Sequence, residues 1–451
     1  MTSSTDTPRL RSRPLVLLSA SLGTFVVILL TSGLNIALPS IRAELGSGES
    51  AAAWILAGYT LAFAMFSISG GALSDRFGAQ RTFAAGLIVF VAASLVAAVA
   101  PTTSIVIVGT FGQGVGAALV LPAALAIIDR VYRGDDNAHA TAVGIWAGAN
   151  ALGAAVGPVL CGALVSVWSW RVLFVAVAVV AAVVVGIGVI VFPRLSGMNV
   201  RLDVPGQVLM VALLGTLTYV AHDAAHLGLW MIIAGVALVV ALAVAFWWVE
   251  RRVASPLLPM SQLRDVAFSG NAIVTILGTA AFFGTLYIVS IGLQEQNGYT
   301  PFMAGVALLP LALGNVVAAL GAGWIVAKLG TRRTLLLASL VVILPMPALP
   351  LVFDNYVALA TLLAIIGFGW GLHVPTTSTA GLARASQERA GLASGVTSGG
   401  RELGAALAAA VILPLGLATG TLWAAIAGAV SLVVAFVTVR GVDHKGATAA
   451  H

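Results

Sequence analysis

Long apolar runs, with charged residues confined almost entirely to the short stretches between them, constrain this chain more than any other feature. A helix needs about 20 apolar residues to cross the hydrocarbon core of a bilayer. Fourteen runs approach or exceed that length, from 15–38 to 421–439. The seventh, 206–221, is the shortest. Backbone groups in hydrocarbon must be satisfied internally, and the runs are too long for barrel strands, so the crossing segments are helices. Only 8% of the residues are charged, against roughly 25% in a soluble domain. So few charges cannot build a water-facing surface for 451 residues. A soluble enzyme, a nucleic-acid-binding domain and a disordered tail protein are all excluded. The net charge of +6 belongs to loops between apolar runs, as in a membrane protein. Cys161 is the single cysteine, which excludes a disulfide framework and a cysteine-based metal site. The first run extends well past a signal-peptide core without a small-residue cleavage site, so no cleavable leader is expected.

The basic residues orient the runs. With both termini in the cytoplasm, Arg42 and Arg171 fall outside and Arg401 lies within a span. Every other Lys and Arg falls inside, as the positive-inside rule demands. Dropping one span would invert each later loop and destroy the pattern, so the number of spans is even. Lys occurs only at Lys328 and Lys445, while Arg, Ala, Val and Gly abound, a bias that fits a GC-rich bacterial genome and hence a bacterial plasma membrane.

An internal repeat divides the chain. Gly71, Arg76, Gly78 and Arg81 follow the second run; Gly323, Lys328, Gly330 and Arg333 follow the tenth, at a constant offset of 252 residues. Parallel halves with short, charged, glycine-bearing loops at matching positions mark a two-bundle transporter. The expected organisation is a tail (1–14), a six-helix bundle (15–192), a linker with two inserted helices (193–266), a second six-helix bundle (267–439) and a tail (440–451). Asp75 sits at a helix C-terminus, where the dipole disfavours a carboxylate, so it should seek a cation or a neighbouring helix N-terminus. With Arg76 and Arg81 it forms a candidate latch for the cytoplasmic face. The plainer alternative is a set of solvated loop charges.

The fifth run carries Gly144, Gly153, Gly157, Pro158 and Gly162. Glycines let another helix approach closely, and proline removes a backbone donor and kinks the helix. A kinked, closely packed helix suits a pivot between two rocking bundles; ordinary small-residue packing is the alternative.

Together these residues resemble the Major Facilitator Superfamily, and within it the fourteen-span drug:proton antiporter branch. The similarity runs through Leu34 to Pro39, Ala53-Trp54 with Tyr59, the loop from Gly71 to Arg81, and Gln113 to Ala118. It continues through the glycine–proline run of the fifth span, Asp203 to Gly206, Gly298-Tyr299-Thr300, Gly305 to Pro310, and Gly391 to Gly395 with Arg401 and Gly404. The resemblance implies an all-α polytopic membrane protein with two six-helix bundles plus two inserted helices. It implies secondary active, proton-coupled efflux of hydrophobic or amphipathic small molecules by alternating access. Where the branch usually has an Asp in its first span this chain has Thr31, and where it has an Arg in the fourth it has Thr110. Cys161 stands where another glycine is usual, so slightly looser packing is expected there.

The acids narrow the search for a proton site. Glu402 alone lies deep in a run, where an ionisable group costs roughly 2.5–3.5 kcal/mol on insertion scales and is presumed functional. Arg401 is its neighbour, but adjacent helical residues point about 100° apart and need not pair. His373, near Trp370, is a further titratable group near membrane depth. Proton-coupling candidates are therefore Glu402, His373 and Arg401; plainer roles are a neutral hydrogen-bond donor, a packing residue and an interhelical tie. Asn35, Gln113, Asn150 and Trp370 are candidates for lining a mid-membrane cavity. No phosphate-cradling loop, metal cluster or catalytic constellation is seen, so no cofactor and no enzyme activity is expected. The expected partners are a small-molecule substrate, protons and the lipid bilayer, with no nucleic acid, and the chain is expected to act as a monomer. The rival readings are a metabolite uniporter or symporter, which Thr31 and Thr110 favour, and a membrane sensor that has lost transport.

Overall fold

A computed structural model describes residues 13–132, 136–192, 203–223, 227–253, 256, 264–383 and 390–439. Residues 1–12 of the first tail, the tail 440–451 and the loop residues Arg133, Arg194, Arg201, Arg384 and Arg389 lie outside the described residues, and the last two residues of the first tail, Arg13 and Pro14, open α1. Every regular element among the described residues is helical. The first six helices are α1 (Arg13–Leu45), α2 (Glu49–Phe77), α3 (Ala79–Ala98), α4 (Thr103–Tyr132), α5 (Asp136–Val167) and α6 (Trp170–Val191). Then come α7 (Val204–Asp223) and α8 (Leu229–Glu250). The rest are α9 (Val266–Glu295), α10 (Pro301–Ala307), α11 (Leu309–Leu329), α12 (Thr331–Ile343), α13 (Leu349–Val352), α14 (Tyr356–Ala383), α15 (Ala390–Leu407) and α16 (Gly416–Thr438).

Among the described residues twelve segments are long and apolar enough to cross a membrane, against the fourteen apolar runs expected. Two features make the difference. The apolar part of α7, Val204–Val220, is short. The last two runs form one apolar segment, Val396–Thr438, interrupted by a π turn at Ala408–Ile412, a 3-10 turn at Leu413–Leu415 and a left-handed Gly416. The tenth run also breaks, between α10 and α11 at Leu308, with Pro310 in the first turn of α11.

The repeat read from sequence is a repeat of packing. In the first half α1 packs on α5 and α6, α2 on α4, and α3 on α4 and α6. In the second half α9 packs on α15 and α16, α11 on α14, and α12 on α14 and α16. The halves meet through two matching contacts, α2 with α15 and α5 with α10, plus smaller ones that include α1 with α9 and α5 with α11. The two repeated loops turn alike: Gly78 and Gly330 have φ of 94° and 80° with extended ψ, a region essentially reserved for glycine.

Helices α7 and α8 pack on each other. α7 lies on α2 and also reaches α15, with Val211 and Leu214 on a cluster of Leu61, Met65 and Ala406. α8 is apolar all round and buries only Phe246 and Glu250 of its side chains, the pattern of a helix facing lipid.

Candidate functional site

The site is built on the seam between α2 and α15. Glu402 and Arg401 project from α15. α15 packs on α2 of the first half and on α9 of the second, so Glu402 rides on the helix that joins elements of both halves. Tyr59 is buried, and its hydroxyl shares a 2.7 Å hydrogen bond with Thr31 of α1. The position that the antiporter branch fills with an acid thus carries a hydroxyl here, bonded to a buried tyrosine on the helix that α15 packs against. The Tyr287 hydroxyl is buried with no protein partner, a donor in want of an acceptor.

Arg401 is held by two serines. Its guanidinium donates to Ser378 of α14 at 3.3 Å and to Ser398 at 3.0 Å, tying α15 to α14. Serines in an apolar helix gave little warning of this role. His373 is buried in α14, its ring stacked on Trp370 at 5.4 Å; Trp370 stacks on Phe282 of α9 at 4.4 Å. Its Nε2 is buried without a protein partner, near the Cα face of Gly278. Phe283 bridges this stack to Tyr287, so aromatic rings run from His373 to the Tyr287 hydroxyl.

The neutral polar candidates separate. Asn35 is fully buried and neither side-chain polar atom has a protein partner, while the Asn150 oxygen is also buried and unpartnered. Gln113 instead donates to Ser94 of α3 at 2.7 Å and ties α3 to α4.

The α5 glycines bring backbones together on two sides. A Cβ at Gly153 or Gly157 would meet the carbonyl oxygens of Phe25 or Leu29 on α1, at 2.8 and 2.6 Å. A Cβ at Gly162 would strike the backbone of Pro301 and Phe302, and one at Gly305 the backbone of Pro158, so α5 and α10 cross at contact distance. Gly144 faces open space. The expected loosening at Cys161 is absent: its buried sulfur sits against Gly33 of α1, where a Cβ would clash, so one glycine across the contact makes room for the thiol.

At the other end of α2, Asp75 is half-buried. Desolvation pushes its carboxyl above the usual carboxylate range, and Arg130 of α4 pulls it back. The cation whose charge opposes the rise therefore belongs to its own half. Arg76 lies over the Phe77 ring at 5.4 Å and Lys328 over Trp324 at 3.9 Å, while Arg81 and Arg333 are exposed. Gly71 and Gly323 face open space, and the counterpart of Asp75 is Ala327, so the second copy lacks the acid.

The family model of the Major Facilitator Superfamily matches residues 20–203 and 206–409. The chain belongs to that superfamily. Among curated relatives it is 29% identical over 410 residues to the multidrug resistance protein Stp of Mycobacterium tuberculosis, covering 89% of this chain and 75% of that one. It is 33% identical over 410 residues to the puromycin resistance protein pur8 of Streptomyces alboniger (88% and 80% covered). It is 30% identical over 408 residues to the methylenomycin A resistance protein of Bacillus subtilis (88% and 86% covered). Among solved structures it resembles the peptide transporter POT in complex with sulfate, with a TM-score of 0.71 at 15% identity over 95% of this chain and 94% of that one. The nucleoside transporter NupG gives 0.67 at 12% identity over 94% and 99%. Those two likenesses concern the fold alone. This Major Facilitator chain is a multi-pass membrane transporter similar to drug-resistance and efflux proteins.

Proposed function

We propose that the protein exports hydrophobic or amphipathic small molecules across a bacterial plasma membrane in exchange for protons, as a fourteen-span monomer with both termini in the cytoplasm. The observation that carries this reading is Glu402, an acid within the apolar segment Val396–Thr438, on a helix that packs against α2 of one half and α9 of the other. A proton carrier must see different surroundings in the two states of an alternating-access cycle. The seam is where surroundings change when the halves rock, because Tyr59 moves with α2 while Tyr287 belongs to α9. In this reading Glu402 takes its proton in one state and yields it in the other, Tyr59 and Tyr287 donate to the ionised form, and Arg401 holds α15 on α14. His373 is a second proton site beneath the aromatic stack. The rings of Tyr59, Phe63, Phe283, Tyr287 and Trp370 supply the apolar wall, with Asn35 and Asn150 as polar contacts for the substrate. The names of the relatives support a drug or antibiotic as substrate. Gly71 to Arg81 and Gly323 to Arg333 act as the cytoplasmic latch, and the α5–α10 crossing is the pivot.

The test is transport in proteoliposomes with an imposed pH gradient. Glu402→Gln should abolish uphill export and leave downhill exchange. Uphill export at the wild-type rate would place the proton elsewhere. A second reading, a uniporter or symporter, is favoured by Thr31 and Thr110 in place of membrane charges. It predicts that wild-type flux ignores the gradient or follows it in the opposite sense.

A further inference from the structure

The inserted hairpin of α7 and α8 has no counterpart in the internal repeat, and the basic residues of the linker gather at its base. α8 is 22 residues long, about 33 Å of helix, so its ends lie near the two faces of a hydrocarbon core of roughly 30 Å. Exposed tryptophans mark both ends: Trp230 at one, Trp247 and Trp248 at the other. Such rings sit at headgroup depth. At the second end Arg251 lies over the Trp247 ring at 4.4 Å and Arg252 over Trp248 at 3.6 Å. Each guanidinium thus folds back four residues along the helix, toward the hydrocarbon, where a snorkelling side chain would reach out to water. The carbonyls of Trp247 and Val249 do not hold them there, because the backbone N–H groups of Arg251, Arg252 and Val253 already occupy those carbonyls.

The acids of this region are turned away. Residues 193–264 include five arginines and three acids, Asp203, Asp223 and Glu250. Asp223 ends α7 at the far end of the hairpin. Asp203 and Glu250 are buried, and both carboxyls crowd the backbone of Gly206, where a Cβ would meet an oxygen of each. Glu250 therefore points into the protein although it precedes Arg251. Arg171 supplies the comparison. It too lies over a tryptophan, Trp170 at 4.2 Å, and there the Glu44 carboxylate completes the guanidinium. Among the described residues no carboxylate bonds Arg251 or Arg252, and both are exposed. Two stacked guanidiniums at headgroup depth complement one anion above all, the phosphodiester of a lipid.

We propose that Arg251 and Arg252, stacked on Trp247 and Trp248, form a binding site for the headgroup phosphate of an anionic phospholipid in the leaflet at the base of the hairpin. A planar guanidinium takes a phosphodiester through two parallel hydrogen bonds. The indoles beside it cover the glycerol and the first methylenes of the chains. α8 buries only Phe246 and Glu250 of its side chains, so a lipid held at its base fixes the hairpin where protein packing does not. The inference rests on α8 lying in the bilayer, as in the reading above, and not on proton coupling or the direction of export.

The experiment is lipid binding by the purified full-length transporter in a neutral detergent, counted by native mass spectrometry. Phosphatidylglycerol is titrated, with phosphatidylcholine of the same chains as the zwitterionic comparison. The wild type should prefer phosphatidylglycerol roughly tenfold. Arg251→Gln with Arg252→Gln should weaken its binding roughly 30-fold. Arg264→Gln removes an exposed charge of the same linker outside the stacks, and should weaken it less than about twofold. Equal binding of the two lipids by the wild type overturns the site, and so does unchanged affinity in the double variant. A loss in Arg264→Gln as large as in the double variant also overturns it, because the attraction would then be a diffuse property of the basic face. Inorganic phosphate in excess should not displace the lipid; displacement would make this a site for a free anion. If the double arginine variant does not fold, Trp247→Leu with Trp248→Leu keeps the charges and removes the rings. It should weaken binding about three- to tenfold, and wild-type affinity there overturns the stacked site. These affinities are read without a gradient, so failure of the lipid site and failure of the antiport reading, tested by Glu402→Gln, are distinguishable.

Discussion

Asp75 shows how one residue carries a testable charge argument. Its carboxyl is half-buried at the end of α2, and desolvation raises its proton affinity more than Arg130 lowers it. A carboxyl whose folded pKa lies above the unfolded one binds its proton more tightly when folded. Its contribution is fully favourable at low pH and is lost as pH rises through the raised value. Asp75→Asn, which cannot titrate, should therefore flatten the stability profile in the acid range, and the wild type should gain on it as pH falls. Melting in detergent across that range checks the sign; a wild type that loses ground on acidification would contradict it. The same substitution should slow turnover more than it weakens substrate binding. Lower affinity at unchanged turnover would remove the latch role. Gly78 and Gly330 make a companion point: their shared left-handed backbone explains why the repeated loop keeps those glycines while Asp75 becomes Ala327.

At the scale of elements, α5 is the informative helix because its glycines face different neighbours. Gly162→Leu would drive a side chain into the backbone of Pro301 and Phe302, which cannot yield as a side-chain tip can, and overpacking of this kind costs about 1–3 kcal/mol. Gly144→Leu enters open space. Transport and folded yield should fall in the first variant and hold in the second; wild-type transport by Gly162→Leu would end the idea of a close pivot. The apolar runs, the loop repeat and this glycine run were all legible in the sequence, because each is a local pattern that hydrocarbon or close helix approach enforces. What was not legible is how distant elements face one another. Helical periodicity cannot say that Tyr59 finds the Thr31 hydroxyl on another helix, nor that Arg42 finds a partner 253 residues away. Tyr287 gave only a weak signal, a hydroxyl in an apolar run, and the run holding α10 and α11 hid its break behind unbroken hydropathy, with Pro310 as the one hint.

The whole molecule turns on how many times the chain crosses, and α7 with α8 decides it. The apolar part of α7 is 17 residues, about 26 Å of helix against a hydrocarbon core of roughly 30 Å. A short span is accommodated by thinning the bilayer or by packing on neighbours, and α7 has such neighbours in α2 and α15. α8 is long enough to cross and packs back on α7, so the pair crosses together or not at all. The basic loops that flank the pair carry Arg194 and Arg201 before it and Arg251, Arg252 and Arg264 after it, so both flanks favour the cytoplasm in either case. The turn between the two helices therefore discriminates. Gly228 is exposed there, so Gly228→Cys should react with an impermeant maleimide added outside intact cells, as Gln296→Cys should at the end of α9. Arg81→Cys, in the first repeated loop, should react only after the membrane is opened. If Gly228→Cys is shielded while Gln296→Cys reacts, the hairpin does not cross and twelve spans remain. If Arg81→Cys reacts from outside, the basic residues do not report the cytoplasmic leaflet, and the direction of export drawn from them reverses.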